Sequence, residues 1–138
     1  MVRKAECSLR LATLALLWIS ADGMAQTACE AGAGKTRVDG RNVALVYQPR
    51  PAKIKVGEMF ALDLTLCPKH GKVRAVAVDA AMPDHKHGMN YKPAVKSTGT
   101  DRFSASGLMF HMPGRWQLAF EVDTDAGRER VLHNLTID

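Results

Sequence analysis

Hydrophobic and polar residues alternate along most of the chain from residue 43 onward, with little of the 3.6-residue period of an amphipathic helix. Gly and Pro turns, such as Pro113-Gly114, separate the alternating runs. Short strands bounded in this way are typical of antiparallel sandwiches. The pattern therefore predicts an all-β antiparallel β-sandwich with six strands and a seventh near 91–95. The six runs lie at 43–47, 60–66, 76–80, 108–112, 116–122 and 131–137.

The first 25 residues have the pattern of a secretory signal peptide. Basic residues precede a mostly apolar run at 11–19, and small residues follow it, with cleavage expected after Ala25 or, as the alternative, after Ala28. The apolar run is too short to span a bilayer, and no later stretch is apolar enough to do so. The sequence thus predicts three parts: a signal peptide at 1–25, a flexible arm at 26–42 and one sandwich domain at 43–138.

Two cysteines, Cys29 and Cys67, remain after the signal peptide is removed. An even pair in an exported protein is predicted to form a disulfide, which would fasten the arm to the end of a strand. The alternative is a pair of thiolate metal ligands. The oxidising environment outside the cytoplasm favours the disulfide.

The charge of the chain does not indicate a nucleic-acid partner. The full sequence has 19 Lys and Arg against 14 Asp and Glu, of which residues 1–25 hold three and two, so the remainder carries a formal net charge of +4. These basic residues are scattered and aromatic residues are few, whereas nucleic-acid binding requires a basic stripe with stacking partners. We therefore expect no nucleic-acid binding.

Two histidines and two methionines fall within residues 82–89, Met-Pro-Asp-His-Lys-His-Gly-Met. The proline ends the preceding strand, so a surface loop is expected. Residues two apart in an extended segment point the same way, which predicts that His85 and His87 converge while the following glycine lets Met89 approach. Imidazole and thioether are good copper ligands. The pattern predicts a copper site; the plainer interpretation is a polar loop with incidental histidines.

Three further residues are candidate ligands. Met109 and His111 are predicted to lie on the exposed face of the 108–112 strand, opposite its apolar residues, where either could complete the coordination shell. Met82 continues the alternation of 76–80, so it either packs in the core or reaches the loop site. His70 and His133 are isolated and are not predicted to bind metal.

The sequence does not predict an enzyme. No serine lies in a nucleophile motif, and the carboxylates have no evident catalytic partner. A His-x-His metal site can serve hydrolysis when carboxylates or a third histidine hold Zn²⁺ with an open position. Thioethers are poor ligands for that chemistry. Binding is therefore favoured over catalysis.

Residues 40–137 resemble YtkA-like domains, small exported β-sandwich domains often grouped with FixH-like proteins. The resemblance rests on the segment MPxHxHGM at 82–89 and the segment MPGxW at 112–116. It implies an immunoglobulin-like sandwich outside the cytoplasm, alone or beside metal-handling components. FixH-like relatives associated with copper-oxidase assembly usually carry a membrane anchor, and no such span is expected here after signal cleavage.

The sequence as a whole predicts a periplasmic or secreted copper-binding protein that acts as a carrier, a buffer or a delivery partner for a periplasmic or membrane protein. Cu(I) would favour Met89 with one or two histidines, and Cu(II) would favour His85, His87 and His111. The alternative from another class is a metal-free immunoglobulin-like interaction module of an extracytoplasmic assembly. A third hypothesis is a small ligand bound between the sheets.

Overall fold

A computed structural model describes residues 29–138. The predicted signal peptide and the first residues of the arm, up to 28, lie outside the described residues. Nine strands form the fold: β1 (Thr36–Asp39), β2 (Val43–Arg50), β3 (Met59–Pro68), β4 (Val73–Met82), β5 (His87–Gly88), β6 (Ala94–Gly99), β7 (Arg102–Met109), β8 (Gly114–Thr124) and β9 (Gly127–Ile137). No helix long and apolar enough to cross a membrane occurs in this part of the chain.

The strands form two antiparallel sheets packed face to face. One sheet has the order β1-β2-β3-β7-β6 and the other has the order β5-β4-β8-β9. Alternate residues of both sheets meet in one core; Leu45 and Leu62 from the first sheet and Leu118 and Phe120 from the second are fully buried in it. The predicted all-β antiparallel sandwich is confirmed.

The number of strands and some of their bounds differ from the prediction. Residues 29–138 contain nine strands instead of the predicted six or seven, because β1, β5 and β6 are short or polar and bury few side chains. The strand predicted at 108–112 is wrong in its bounds, since β7 ends at Met109. Gly107 has a φ of 81° at an interruption of the β3–β7 register, and this bulge hides the alternation.

Several contacts hold the N-terminal arm against the sandwich. Residues 36–39, which the sequence placed in a flexible arm, pair with β2 as strand β1. The predicted disulfide between Cys29 and Cys67 is present and joins residues 38 positions apart. Closing a loop of that length contributes about 4 kcal/mol in the chain-entropy account. In the β1–β2 turn, the backbone N–H of Asn42 donates to the buried Glu129 carboxylate at 2.7 Å.

Candidate metal centre

The His-rich segment is a tight reversal. The backbone N–H of His85 donates to the carbonyl of Met82 at 3.1 Å, and Lys86 takes a left-handed φ of 56°. The chain thus folds back at once, and β5 pairs with the end of β4. The predicted extended loop with its bend at Gly88 is wrong: the reversal is at Lys86, and Gly88 already lies in β5.

His87 faces the interior at one end of the sandwich. It lies directly opposite Met82 across the β4–β5 pair, and directly opposite residues in an antiparallel pair project from the same face of the sheet. Met82 is only 1% exposed and belongs to the core. The ring centroid of His87 lies 6.1 Å from that of Trp116, which is fully buried. His87 is half-buried, and its ring lies at the end of the core beside Trp116.

His111 reaches the same place from the segment between β7 and β8. Its ring centroid is 5.1 Å from that of His87 and 5.3 Å from that of Trp116. The prediction that His111 shares an exposed strand face with Met109 is wrong, because β7 has ended and His111 turns against the buried indole. His85 stands outside the pair, exposed, with its ring centroid 5.8 Å from that of His87.

Both inner histidines present a nitrogen that is free for a ligand. The Nδ1 of His87 lies 3.1 Å from the carbonyl oxygen of Gly88, which can only accept a hydrogen bond, so in the neutral ring Nδ1 is the donor and the lone pair is on Nε2. The Nδ1 of His111 is buried and has no hydrogen-bond partner among residues 29–138. An unsatisfied buried polar group costs about 1–3 kcal/mol. A bound metal ion would remove that cost.

The predicted methionine ligands occupy different environments. Met82 packs in the core, which was one of the two alternatives that the sequence left open. Its side chain shares the inner face with His87. Met89 follows His87 by two residues, and its N–H donates to the Ala80 carbonyl at 3.1 Å. This pairing continues the strand, so Met89 returns to the face of His87, where it packs partly buried against the core. Met109 lies in β7 opposite Met59, in the other sheet.

A row of packed aromatic rings leads from the two inner histidines into the core. The rings of Trp116 and Phe110 stack with centroids 4.6 Å apart, and Phe60 follows at 4.9 Å from Phe110. The indole N–H of Trp116 donates to the carbonyl of Met112 at 3.0 Å. Sequence reasoning assigned Trp116 to the core and missed that it also borders the site. The signal that could have indicated this was its position just after His111 and the Pro113-Gly114 turn.

An ion pair fastens the His-rich turn to the start of β8. Arg115 donates from Nε and Nη2 to the two carboxylate oxygens of Asp84, at 3.0 and 2.5 Å. These hydrogen bonds hold the pKa of Asp84 below its ordinary value and raise the pKa of Arg115. The carboxylate is therefore ionised and engaged. The pairing joins residues 31 positions apart, and sequence reasoning did not find it.

The donors gathered here fit a soft metal ion held by few ligands. Within residues 29–138, no group of three or more His, Cys, Asp or Glu side chains is placed to hold a metal ion. The donors at this end of the sandwich include the imidazoles of His87 and His111, with His85 outside them, and the thioethers of Met82 and Met89. Two imidazoles with sulfur suit copper better than they suit zinc, calcium or magnesium.

The other two histidines lie elsewhere. His133 in β9 lies against Tyr47, with ring centroids 5.7 Å apart, and its partial burial lowers its pKa. His70 is exposed in the turn between β3 and β4. The exposed position of His70 makes it a useful control in binding experiments.

Comparisons of the chain with protein-family models, with curated proteins and with solved structures find no match. The resemblance to YtkA-like domains therefore stays a prediction.

Proposed function

We propose that this protein binds one copper ion at the end of the sandwich, between His87 and His111. The observation that carries the proposal is the buried Nδ1 of His111, which has no partner in the described chain and lies beside a second imidazole with a free nitrogen. Buried polar atoms of folded proteins are nearly always satisfied, and an orphaned one indicates a partner outside the chain or a functional role.

The chemistry of the neighbouring donors favours copper over other metals. A thioether from Met89 or Met82 completes the coordination of the two imidazoles. Zinc sites use thiolate, imidazole or carboxylate, whereas thioether sulfur selects Cu(I). His85 is exposed next to the inner pair, so an arriving or departing ion would meet its side chain first. Met109 is left out of the ligand set, since it lies in the opposite sheet.

The position of the site suits carriage and exchange in an oxidising compartment. His87 and His111 are only half-buried, so the site lies near the surface, and the covered Nδ1 of His111 would be reached by movement of the side chains around it. The disulfide between Cys29 and Cys67 is typical of proteins outside the cytoplasm. We therefore assign the protein to the periplasm or the secreted fraction, as a copper carrier, buffer or delivery partner. We also propose that the sandwich is of the immunoglobulin-like type.

Equilibrium dialysis of the chain without residues 1–25 tests this function. We expect one copper ion per chain when copper is supplied with ascorbate, because one pair of imidazoles is available. The His70→Ala variant, which removes an exposed histidine outside the site, should bind the same amount. The absence of stoichiometric binding would refute the proposal and favour the metal-free interaction module.

A further inference from the structure

The Asp84–Arg115 ion pair lies at the metal-binding end of the sandwich. Building on the proposed copper site, we propose that Arg115 determines which metal binds there. Its guanidinium keeps the Asp84 carboxylate out of the coordination shell, so the site takes Cu(I) in preference to Cu(II) and Zn(II).

Asp84 lies in the same segment, residues 82–89, as His85 and His87. It directly precedes His85 within the turn at 83–86, where the chain reverses to bring His87 onto the inner face. Both of its oxygens accept hydrogen bonds from Arg115. A two-bond contact of this kind is directional as well as strong, so it fixes where the carboxylate points. Without Arg115, the carboxylate would be free to turn toward the adjacent imidazoles.

With Asp84 so held, every remaining donor in the site is neutral. Imidazole and thioether are neutral groups when they act as ligands, and the buried ring of Trp116 beside them is apolar. A divalent cation in such surroundings loses hydration without gaining a compensating anion, which is costly. Cu(I) carries a single charge and prefers soft neutral donors. A freed Asp84 would supply the hard anionic oxygen that Cu(II) and Zn(II) accept.

The ion pair contributes little to folding, so it can be removed without losing the protein. The side chains of Arg115 and Asp84 are 43% and 56% exposed. Exposed pairs contribute little to stability in general. The chain also contains a matched control in the pair Arg50–Asp63, which has the same two-bond geometry at 3.1 and 2.7 Å and similar exposure. That pair lies on β2 and β3 in the other sheet.

Competition titrations of the chain without residues 1–25 test the inference. Chelators specific for Cu(I), Cu(II) and Zn(II) are used in turn with each variant. For Arg115→Ala we expect affinities for Cu(II) and Zn(II) to rise by about tenfold or more, while Cu(I) affinity changes by less than about threefold. Adding Asp84→Asn to Arg115→Ala should abolish the gain. Arg50→Ala should leave all three affinities unchanged.

The failures of the two proposals are distinguishable. If wild-type protein binds Cu(II) or Zn(II) as tightly as Cu(I), the selectivity inference is wrong and the copper site stands. If Arg115→Ala weakens all three metals equally, the ion pair only positions the turn and the inference is overturned. If Arg115→Ala changes none of the affinities, Arg115 has no part in selectivity. If the wild type binds no copper, both proposals fail.

Discussion

Replacement of Trp116 with alanine is expected to lower the free energy of unfolding by about 3–5 kcal/mol. The indole is fully buried, stacks on Phe110 at 4.6 Å between ring centroids, and donates its N–H to the Met112 carbonyl at 3.0 Å. Alanine at this position leaves a cavity in the core and removes the donor that satisfies the Met112 carbonyl. Chemical denaturation followed by circular dichroism measures the loss, since the variant lacks the fluorescent reporter.

Two further variants provide the controls. Trp116→Phe keeps an aromatic ring on Phe110 but removes the N–H, so it should lose less than half as much stability. Leu132→Ala in β9 truncates a side chain that is 46% exposed, and it should change stability by less than about 0.5 kcal/mol. A loss below about 1 kcal/mol for Trp116→Ala would show that this residue does not belong to the core.

Removal of both inner imidazoles is expected to weaken copper binding by about a hundredfold or more, equivalent to about 2.7 kcal/mol. The double variant His87→Ala with His111→Leu removes both candidate nitrogens. Leucine retains much of the volume of the His111 ring while eliminating its unsatisfied nitrogen, so the His111→Leu substitution by itself should keep or raise the stability of the apo protein. Competition against a Cu(I) chelator measures the affinity.

Two single variants test whether this loss of copper affinity comes from the inner pair of histidines. His70→Ala removes a distant exposed imidazole and should leave copper affinity unchanged. His85→Ala should weaken binding by less than about tenfold, because that ring is exposed and stands outside the inner pair. Full affinity in the double variant would mean that copper binds elsewhere on the chain.

Strand positions were predictable from the sequence where burial alternates strongly. Strands β3 and β8 match the period-two pattern because one face of each lies in the core. The pattern fails at β1 and β6, which bury few side chains, and at β5, which is only two residues long. It also fails in β7, where the bulge at Gly107 interrupts the period.

The candidate site was predictable by residue type but not by geometry. Residues 82–89 contain His87, one of the two inner histidines, yet the left-handed Lys86 redirects the chain in a way that the composition does not reveal. His111 joins them only because it lies beyond the end of β7, where strand parity no longer determines the direction of a side chain. The contact between Asp84 and Arg115 depends on the tertiary fold, and no local pattern indicates it.

Fluorescence of Trp116 reports directly whether copper binds between His87 and His111. Trp116 is the only tryptophan after the predicted signal peptide, since the other tryptophan in the sequence is Trp18. Its ring lies 5.3 Å from that of His111 and 6.1 Å from that of His87, so a copper ion held by these imidazoles lies close enough to quench the indole. Titration of the wild type with copper should quench its emission saturably, with an end point at one copper per chain. The variant that combines His87→Ala with His111→Leu should show no quenching at that ratio. Unchanged wild-type emission at one equivalent, or equal quenching in the double variant, would contradict a copper site at this end of the sandwich.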